Sequence, residues 1–282
     1  MIPSQFDYEA PESLEQAIRM LHENGEDAKI LAGGHSLLPL MKLRLAAPTL
    51  LIDLRKVPGL HGIQRENGSY RIGAMTRHAD LQSTPELGVA SKAASLIADQ
   101  QVRNRGTIGG SLAHGDPASD LPAVLLASEG EVTAQGPNGQ RTIAAADLFQ
   151  DLLTTSLAQD EVLTEVHLPV LEGYGFGYEK FTRRAEDWAM VGVCALVKKG
   201  ADGSCEDVRI GLTHMGSTAL RATAAENALR GGPLDADSIA VAAEQAAEGT
   251  QPPTDLNATA DYKRHLARVL TGRALEEASA GT

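Results

Sequence analysis

Apolar residues recur at helical spacing from Ser13 to Asn24, where Leu14, Ala17, Ile18 and Leu21 share one face. Pro11 and Glu12 open this stretch and Gly25 follows it, so the pattern predicts a helix with both ends marked. Ala28 to Ala32 is a short apolar run, predicting a buried strand that leads into Gly33-Gly34. Leu37 to Leu43 predicts a helix start that Pro39 can occupy only in the first turn, where the N–H it lacks is not needed. Thr49 to Leu54 predicts a second strand, and Val57-Pro58-Gly59-Leu60 a turn.

Ile63 to Ile72 predicts a hairpin turning at Glu66-Asn67-Gly68-Ser69, and Gly73 to Thr76 the end of a strand. His78 to Ser83, Val89 to Ala98 and Pro122 to Ser128 predict helices. Glu131 to Gln135 and Gln140 to Ile143 predict a hairpin around Gly136-Pro137-Asn138-Gly139, and Glu161 to Leu168 a strand ended by Pro169. Gly173-Tyr174-Gly175-Phe176-Gly177-Tyr178 reads as a hinge. Beyond it come three strands, Tyr178 to Thr182, Val191 to Lys198 and Val208 to His214. Three helices follow, Ala222 to Leu229, Ser238 to Gly249 and Asp261 to Ala278, the last two separated by Gln251-Pro252-Pro253-Thr254. Hairpins first, then strands and then helices, with no internal repeat, predict an α+β fold rather than a doubly wound sheet.

The chain has 282 residues, room for two domains or one with subdomains. Aromatic residues make up only 4%, so the core must be built mainly from Ala, Leu, Val and Ile. A net charge of −12 argues against nucleic-acid binding, which needs a basic face against phosphates. No apolar run is long enough for a membrane span, and Met1 to Phe6 lacks the charged and apolar regions of a signal peptide. Cys194 and Cys205 fit a reducing compartment and are too few to hold an iron–sulfur cluster with thiolates. A cytoplasmic location is expected.

Two glycine-rich runs carry the candidate chemistry: Ile30-Leu31-Ala32-Gly33-Gly34-His35-Ser36-Leu37, and Arg105-Gly106-Thr107-Ile108-Gly109-Gly110-Ser111. Between the second run and Asp120 the chain carries turn chemistry. Glycine lets a ligand approach the backbone closely, and successive N–H groups can converge on one anion. Two such runs point to a ligand with two phosphates or a long one held at two places. Neither has the Gly-x-Gly-x-x-Gly spacing of a Rossmann site, although Asp53 lies about 19 residues past Gly34, and no P-loop occurs. The neighbours His35 and Ser36 make a poor nucleophile–base pair, since adjacent side chains usually point apart. His114, Asp116 and Asp120 lack a regular ligand spacing, so no metal site is expected. Trp188, the one tryptophan, is either packing at a domain seam or a flat surface for an aromatic cofactor, with Lys180, Arg183 and Arg184 nearby in sequence.

Taken together, the Ala32 to Pro39 run, Thr107 to Ser111 with Gly115 to Pro122, and the Lys180-x-x-Arg-Arg-x-x-Asp-Trp-Ala segment resemble the FAD-binding medium subunits of molybdenum hydroxylases. That family includes the medium subunit of aerobic carbon monoxide dehydrogenase and the FAD module of xanthine dehydrogenase. The resemblance spans nearly the whole chain. It implies a PCMH-type, vanillyl-alcohol-oxidase-like FAD-binding domain of two subdomains, residues 1–56 and 57–172, and a smaller C-terminal domain, 173–282, with a three-stranded antiparallel sheet and helices. By the same resemblance, Ile30, Leu31, Ala32, Gly33, Gly34, His35, Ser36 and Leu37 wrap the FAD diphosphate. Thr107, Gly109, Gly110 and Ser111 form a second anion-binding turn, although Ser111 stands where many relatives carry Asn or Asp. Asp120 binds a polar group of the cofactor, Ile97 and Leu163 pack on it, and Lys180 and Trp188 lie on the flavin side, where a charged lysine would raise the potential.

The implied function is electron transfer, with no catalytic residue of the chain's own. A small subunit with two [2Fe-2S] clusters and a large subunit with the molybdenum cofactor are the implied partners, in a dimer of heterotrimers. Quinone, NAD or oxygen is the external acceptor, and the complex could sit peripherally at the inner membrane face. Substrate, whether carbon monoxide, an N-heterocycle, an aldehyde or a purine, would be oxidised at molybdenum. The alternative is a stand-alone FAD-dependent oxidoreductase, for which the chain offers neither a further substrate domain nor an acid/base pair beside the flavin motifs.

Overall fold

The chain is described by a computed structural model covering residues 2–281; Met1 and Thr282, the outermost residues of the first and last predicted domains, lie outside it. Strands β1 (Asp7–Glu9) and β2 (Ala28–Leu31) both pair in parallel with β3 (Leu50–Asp53), which runs between them. Helix α1 (Leu14–Asn24) joins the first two. Ser13 Oγ accepts the Gln16 N–H at its start, and Gly25, at φ 52°, ends it. Its predicted apolar face packs on Ile52 and Leu54. Helix α2 (Leu37–Lys42) follows the first glycine run and holds Pro39 in its first turn.

The middle of the chain forms a five-stranded antiparallel sheet with helices inserted in it. Strands β4 (Ile63–Glu66) and β5 (Ser69–Gly73) turn through Asn67 and Gly68, both at positive φ, as this hairpin requires. Helices α3 (His78–Gln82), α4 (Val89–Ser95), α5 (Gln100–Arg103), α6 (Ile108–His114) and α7 (Asp120–Ala127) come next. Strands β6 (Glu131–Gly136) and β7 (Gly139–Ala144), helix α8 (Ala145–Leu148), a small hairpin of β8 (Phe149–Asp151) and β9 (Thr154–Thr155), and strand β10 (Val162–Pro169) complete the region. The sheet order is β4-β5-β10-β6-β7. Two expectations change here. Gly109 and Gly110 of the second run lie in the first turn of α6, and α7 begins at Asp120 rather than Pro122.

The C-terminal sheet runs in sequence order: β11 (Tyr174–Phe181), β12 (Val191–Lys199), β13 (Cys205–Thr213) and the short β14 (Leu220–Arg221). It therefore has four strands rather than three. The predicted hinge is absent because Tyr174 to Tyr178 already belongs to β11. A Cβ on Gly177 would lie 2.2 Å from the Ala274 carbonyl oxygen of helix α11 (Ala260–Ala280), so this glycine serves close packing. Helices α9 (Thr223–Leu229) and α10 (Ala236–Glu244) share that side with α11. On the other side, a Cβ on Gly211 would lie 2.2 Å from Ala123 O in α7. The strand alternation follows suit. Val193, Ala195 and Val197 join the core under α9 to α11, while Tyr178, Cys194 and Leu196 join the core of the five-stranded sheet. Both cysteines are free and buried. Among the described residues no helix is long and apolar enough to cross a membrane.

Candidate functional site

The first glycine run bridges β2 and α2. Leu31 is buried with Met41 and Leu51, and Ile30 packs beside α1, so side chains anchor the loop from below. Gly34 adopts φ 79°, which glycine reaches without strain. The carbonyls of Gly34 and Ser36 accept the N–H groups of Leu38 and Leu40 at 3.1 and 3.2 Å. Among the described residues, nothing accepts the N–H groups of Gly33, Gly34, His35, Ser36 or Leu37. Five consecutive donors with no acceptor among the described residues suit a polyanion.

The second run meets the first directly. A Cβ on Gly33 would lie 2.4 Å from Arg105 O and 2.7 Å from Gly106 Cα, so the two backbones touch. Ala32 Cβ stands 3.4 Å from where a Gly110 Cβ would be. The second run nevertheless is not an open anion turn. Thr107 caps α6 by accepting the Gly110 N–H on its side chain at 3.2 Å and the Ser111 N–H on its carbonyl at 3.0 Å. Ile108 and Gly109 donate to Thr76 O and Ala74 O at 3.0 and 2.8 Å. The donors expected to face a phosphate are thus spent on the fold. Gly109 is required by Ala74, whose Cβ would sit 2.4 Å from any side chain there. Ser111 Oγ points at Ser119 Oγ, 3.5 Å away.

Asp120 lies at the junction of α7 with the C-terminal sheet. Its Oδ1 accepts the Tyr178 hydroxyl at 2.7 Å and its Oδ2 accepts Lys180 Nζ at 2.9 Å. The Asp120 and Lys180 side chains are each only 5% exposed. Lys180 Nζ also donates to Leu96 O at 3.0 Å, next to Ile97. Burial pushes the Asp120 carboxyl up, against the pull of the Lys180 ammonium and the Tyr178 hydrogen bond. Burial and the neighbouring Asp120 push Tyr178 well above its ordinary range, so it stays a donor. Lys180 is therefore a neutralised cation in a seam rather than a free charge. Ile97 packs at the edge of the same core that buries Leu163 in β10. Trp188 is 54% exposed in the loop between β11 and β12.

The remaining expectations resolve simply. Asp53 is buried and accepts from Tyr8 and Arg55. Asp116 Oδ1 accepts the Ala118 N–H at 2.8 Å, shaping its own turn. Among the described residues no group of three His, Cys, Asp or Glu side chains could hold a metal. His78, absent from the predicted set, lies against Gly106, where a Cβ would come within 2.6 Å of its ring. Its Nδ1 is buried without a partner, and burial, with His35 and Arg103 nearby, lowers it to about 4. A single histidine on a short helix gave no periodic signal that could have marked it.

Known proteins match the chain in sequence and fold over nearly its whole length. Residues 4–171 match the FAD binding domain in molybdopterin dehydrogenase, and residues 176–278 the CO dehydrogenase flavoprotein C-terminal domain. The chain is 44% identical to the carbon monoxide dehydrogenase medium chain of Hydrogenophaga pseudoflava, with 99% of this chain and 98% of that one covered. It is 41% identical to the 6-hydroxypseudooxynicotine dehydrogenase complex subunit alpha of Paenarthrobacter nicotinovorans, covering 99% and 96%. The solved Cu,Mo-CO dehydrogenase in its cyanide-inactivated form superposes with a TM-score of 0.97 at 39% identity, each chain being covered completely.

Two stability measurements probe the site. Lys180→Met leaves Asp120 buried without its cation and should cost roughly 3–5 kcal/mol in denaturant unfolding, whereas Asp120→Leu combined with Lys180→Met should cost less. A loss below about 1 kcal/mol in the single variant contradicts a buried pair. His78 resists protonation in the fold, so its contribution is complete above pH 6.5 and declines as pH falls toward 4, by roughly 3 kcal/mol. His78→Gln should flatten stability against pH in that window; an unchanged slope rejects the assignment.

Proposed function

The chain belongs to the family of FAD-binding medium subunits of molybdenum hydroxylases, and from that membership we propose that it is the electron-transfer subunit of a complex whose iron–sulfur and molybdenum centres lie in partner subunits. The five N–H groups from Gly33 to Leu37, unaccepted among the described residues, are the observation that carries the reading, because successive backbone donors can turn toward an anion such as the diphosphate of FAD. When bound, FAD supplies the redox chemistry, taking electrons singly and releasing them in pairs. The chain binds and orients it.

In this reading Gly33 to Leu37 hold the diphosphate, and Ala32 and Gly110 keep the passage between the two runs clear of side chains. The second run contributes by position rather than by donors. Asp120, itself held by the Tyr178 hydroxyl, and Leu96 O hold Lys180, whose effect on the flavin is then local, since its charge is matched by the carboxylate. Residues 1–56 and 57–172 act as the two FAD subdomains and 173–282 as the unit that covers them. The partners are a small iron–sulfur subunit and a large molybdenum subunit, in a dimer of heterotrimers that delivers electrons to quinone, NAD or oxygen. Substrate is chosen elsewhere. Relatives named for carbon monoxide and for 6-hydroxypseudooxynicotine resemble this chain almost equally, at 44% and 41% identity.

Affinity purification from its own cells through a tag on this chain should recover FAD, iron and molybdenum together. Tagged chain that oxidises substrate with FAD alone overturns the proposal. Gly34→Val forces a branched side chain into a left-handed backbone at a cost of about 1–2 kcal/mol. FAD affinity should fall roughly 5–30-fold, while iron and molybdenum stay in the complex. Full FAD occupancy in that variant removes the diphosphate role of the first run.

A further inference from the structure

His214 directly follows β13 and adopts φ 62°, a left-handed conformation that non-glycine residues seldom adopt. Three segments converge on it. Its backbone N–H donates to Pro117 O at 2.8 Å, in the turn that leads to Asp120. Its Nδ1 lies 2.8 Å from Ala189 O, the residue after Trp188. Its Nε2 lies 3.3 Å from Lys263 Nζ in α11. A carbonyl can only accept, so Nδ1 carries the proton toward Ala189 O, while Nε2 faces Lys263 Nζ and, at 3.8 Å, Asp255 Oδ2.

Lys263 is fully buried and is itself fixed by Asp255 Oδ2 at 2.6 Å. Burial works to raise the Asp255 carboxyl, but Lys263 and the N–H groups of Asn257 and Ala258 outweigh it and bring it to about 2, so Asp255 stays a carboxylate. Asp255 and Lys263 thus lock the face of the imidazole opposite the loop.

The loop on the other side has few anchors. Met190 N–H donates to Phe181 O at 2.9 Å across its neck, and Arg184 pairs with Asp187 inside it. Among the described residues, His214 is the only side chain from outside that hydrogen-bonds the 182–189 backbone. We propose that His214, locked by Lys263 and Asp255, is a positioning residue that sets the Trp188 loop against the turn leading to Asp120, and so places Trp188 at the flavin. This rests on the proposed FAD-binding function and on the flavin-side position that the family resemblance implies for Trp188.

The test compares wild type, His214→Asn and Lys263→Met. Asparagine tolerates the left-handed backbone but is too short to reach Ala189 O, so it removes the tie without the strain. Amide exchange at Met190, measured on the full chain, should rise about fivefold in His214→Asn, the effect of losing one hydrogen bond of about 1 kcal/mol, and should rise less in Lys263→Met. In the purified complex, the long-wavelength flavin absorption band should shift in both variants. Unchanged Met190 exchange overturns the latch, even if the flavin band moves, and leaves the placement of Trp188 standing. Faster exchange with an unmoved flavin band overturns the placement of Trp188 at the flavin and the proposal with it.

Discussion

A backbone N–H needs an acceptor, and five in succession from Gly33 to Leu37 find none among the described residues. The surrounding architecture serves to hold this row open. Leu31 and Ile30 are pinned in the core beneath it, α2 starts directly after it, and Gly33 lets the second run press against it from the side. Had the second run kept its own donors free, two anion sites would compete. Instead Thr107, Thr76 and Ala74 take up those donors, and the second run becomes a rigid wall.

The second organising feature is the C-terminal sheet, covered on both faces. Gly211 admits α7 from the FAD-binding side and Gly177 admits α11 from the other. Glycines at these two points bring main chains close enough that the seam tolerates no added side chain. Asp120 and Lys180 are consequently dry, and their charges must be satisfied by each other, by Tyr178 and by Leu96 O. His214 stands at the other end of the same seam, between Pro117 and the Trp188 loop. The polar contacts that join the covering unit to the cofactor-binding unit thus include two clusters with different tasks, one neutralising a buried carboxylate and one tying down a loop, beside the Arg209 and Arg221 pairs with Glu129.

Local signals in the sequence were legible where local physics decides the outcome. Ser13 and Gly25 delimit α1, Asn67-Gly68 makes its turn, and the apolar run of β12 is a strand buried on both faces. They failed where a glycine's purpose lies in a distant segment. Gly34 needs its left-handed φ, but Gly33, Gly109 and Gly177 need the absence of a Cβ against Arg105, Ala74 and Ala274, and composition cannot separate the two causes. For that reason the second run read as a turn, and Gly175 and Gly177 read as a hinge instead of one face of a strand. Among candidate site residues, the family resemblance singled out the first run and the Asp120–Lys180 region. It did not reveal that Asp120 and Lys180 bind each other, nor the parts of Tyr178, His78 and His214, each set by partners far away in sequence.

The most direct test of the account is amide hydrogen exchange of the complex with and without FAD. Protection on FAD binding should appear across Gly33 to Leu37, while the amides of Ile108 to Ser111, already bonded within the fold, stay unchanged. Protection gained at Ile108 to Ser111 with none at Gly33 to Leu37 would contradict it.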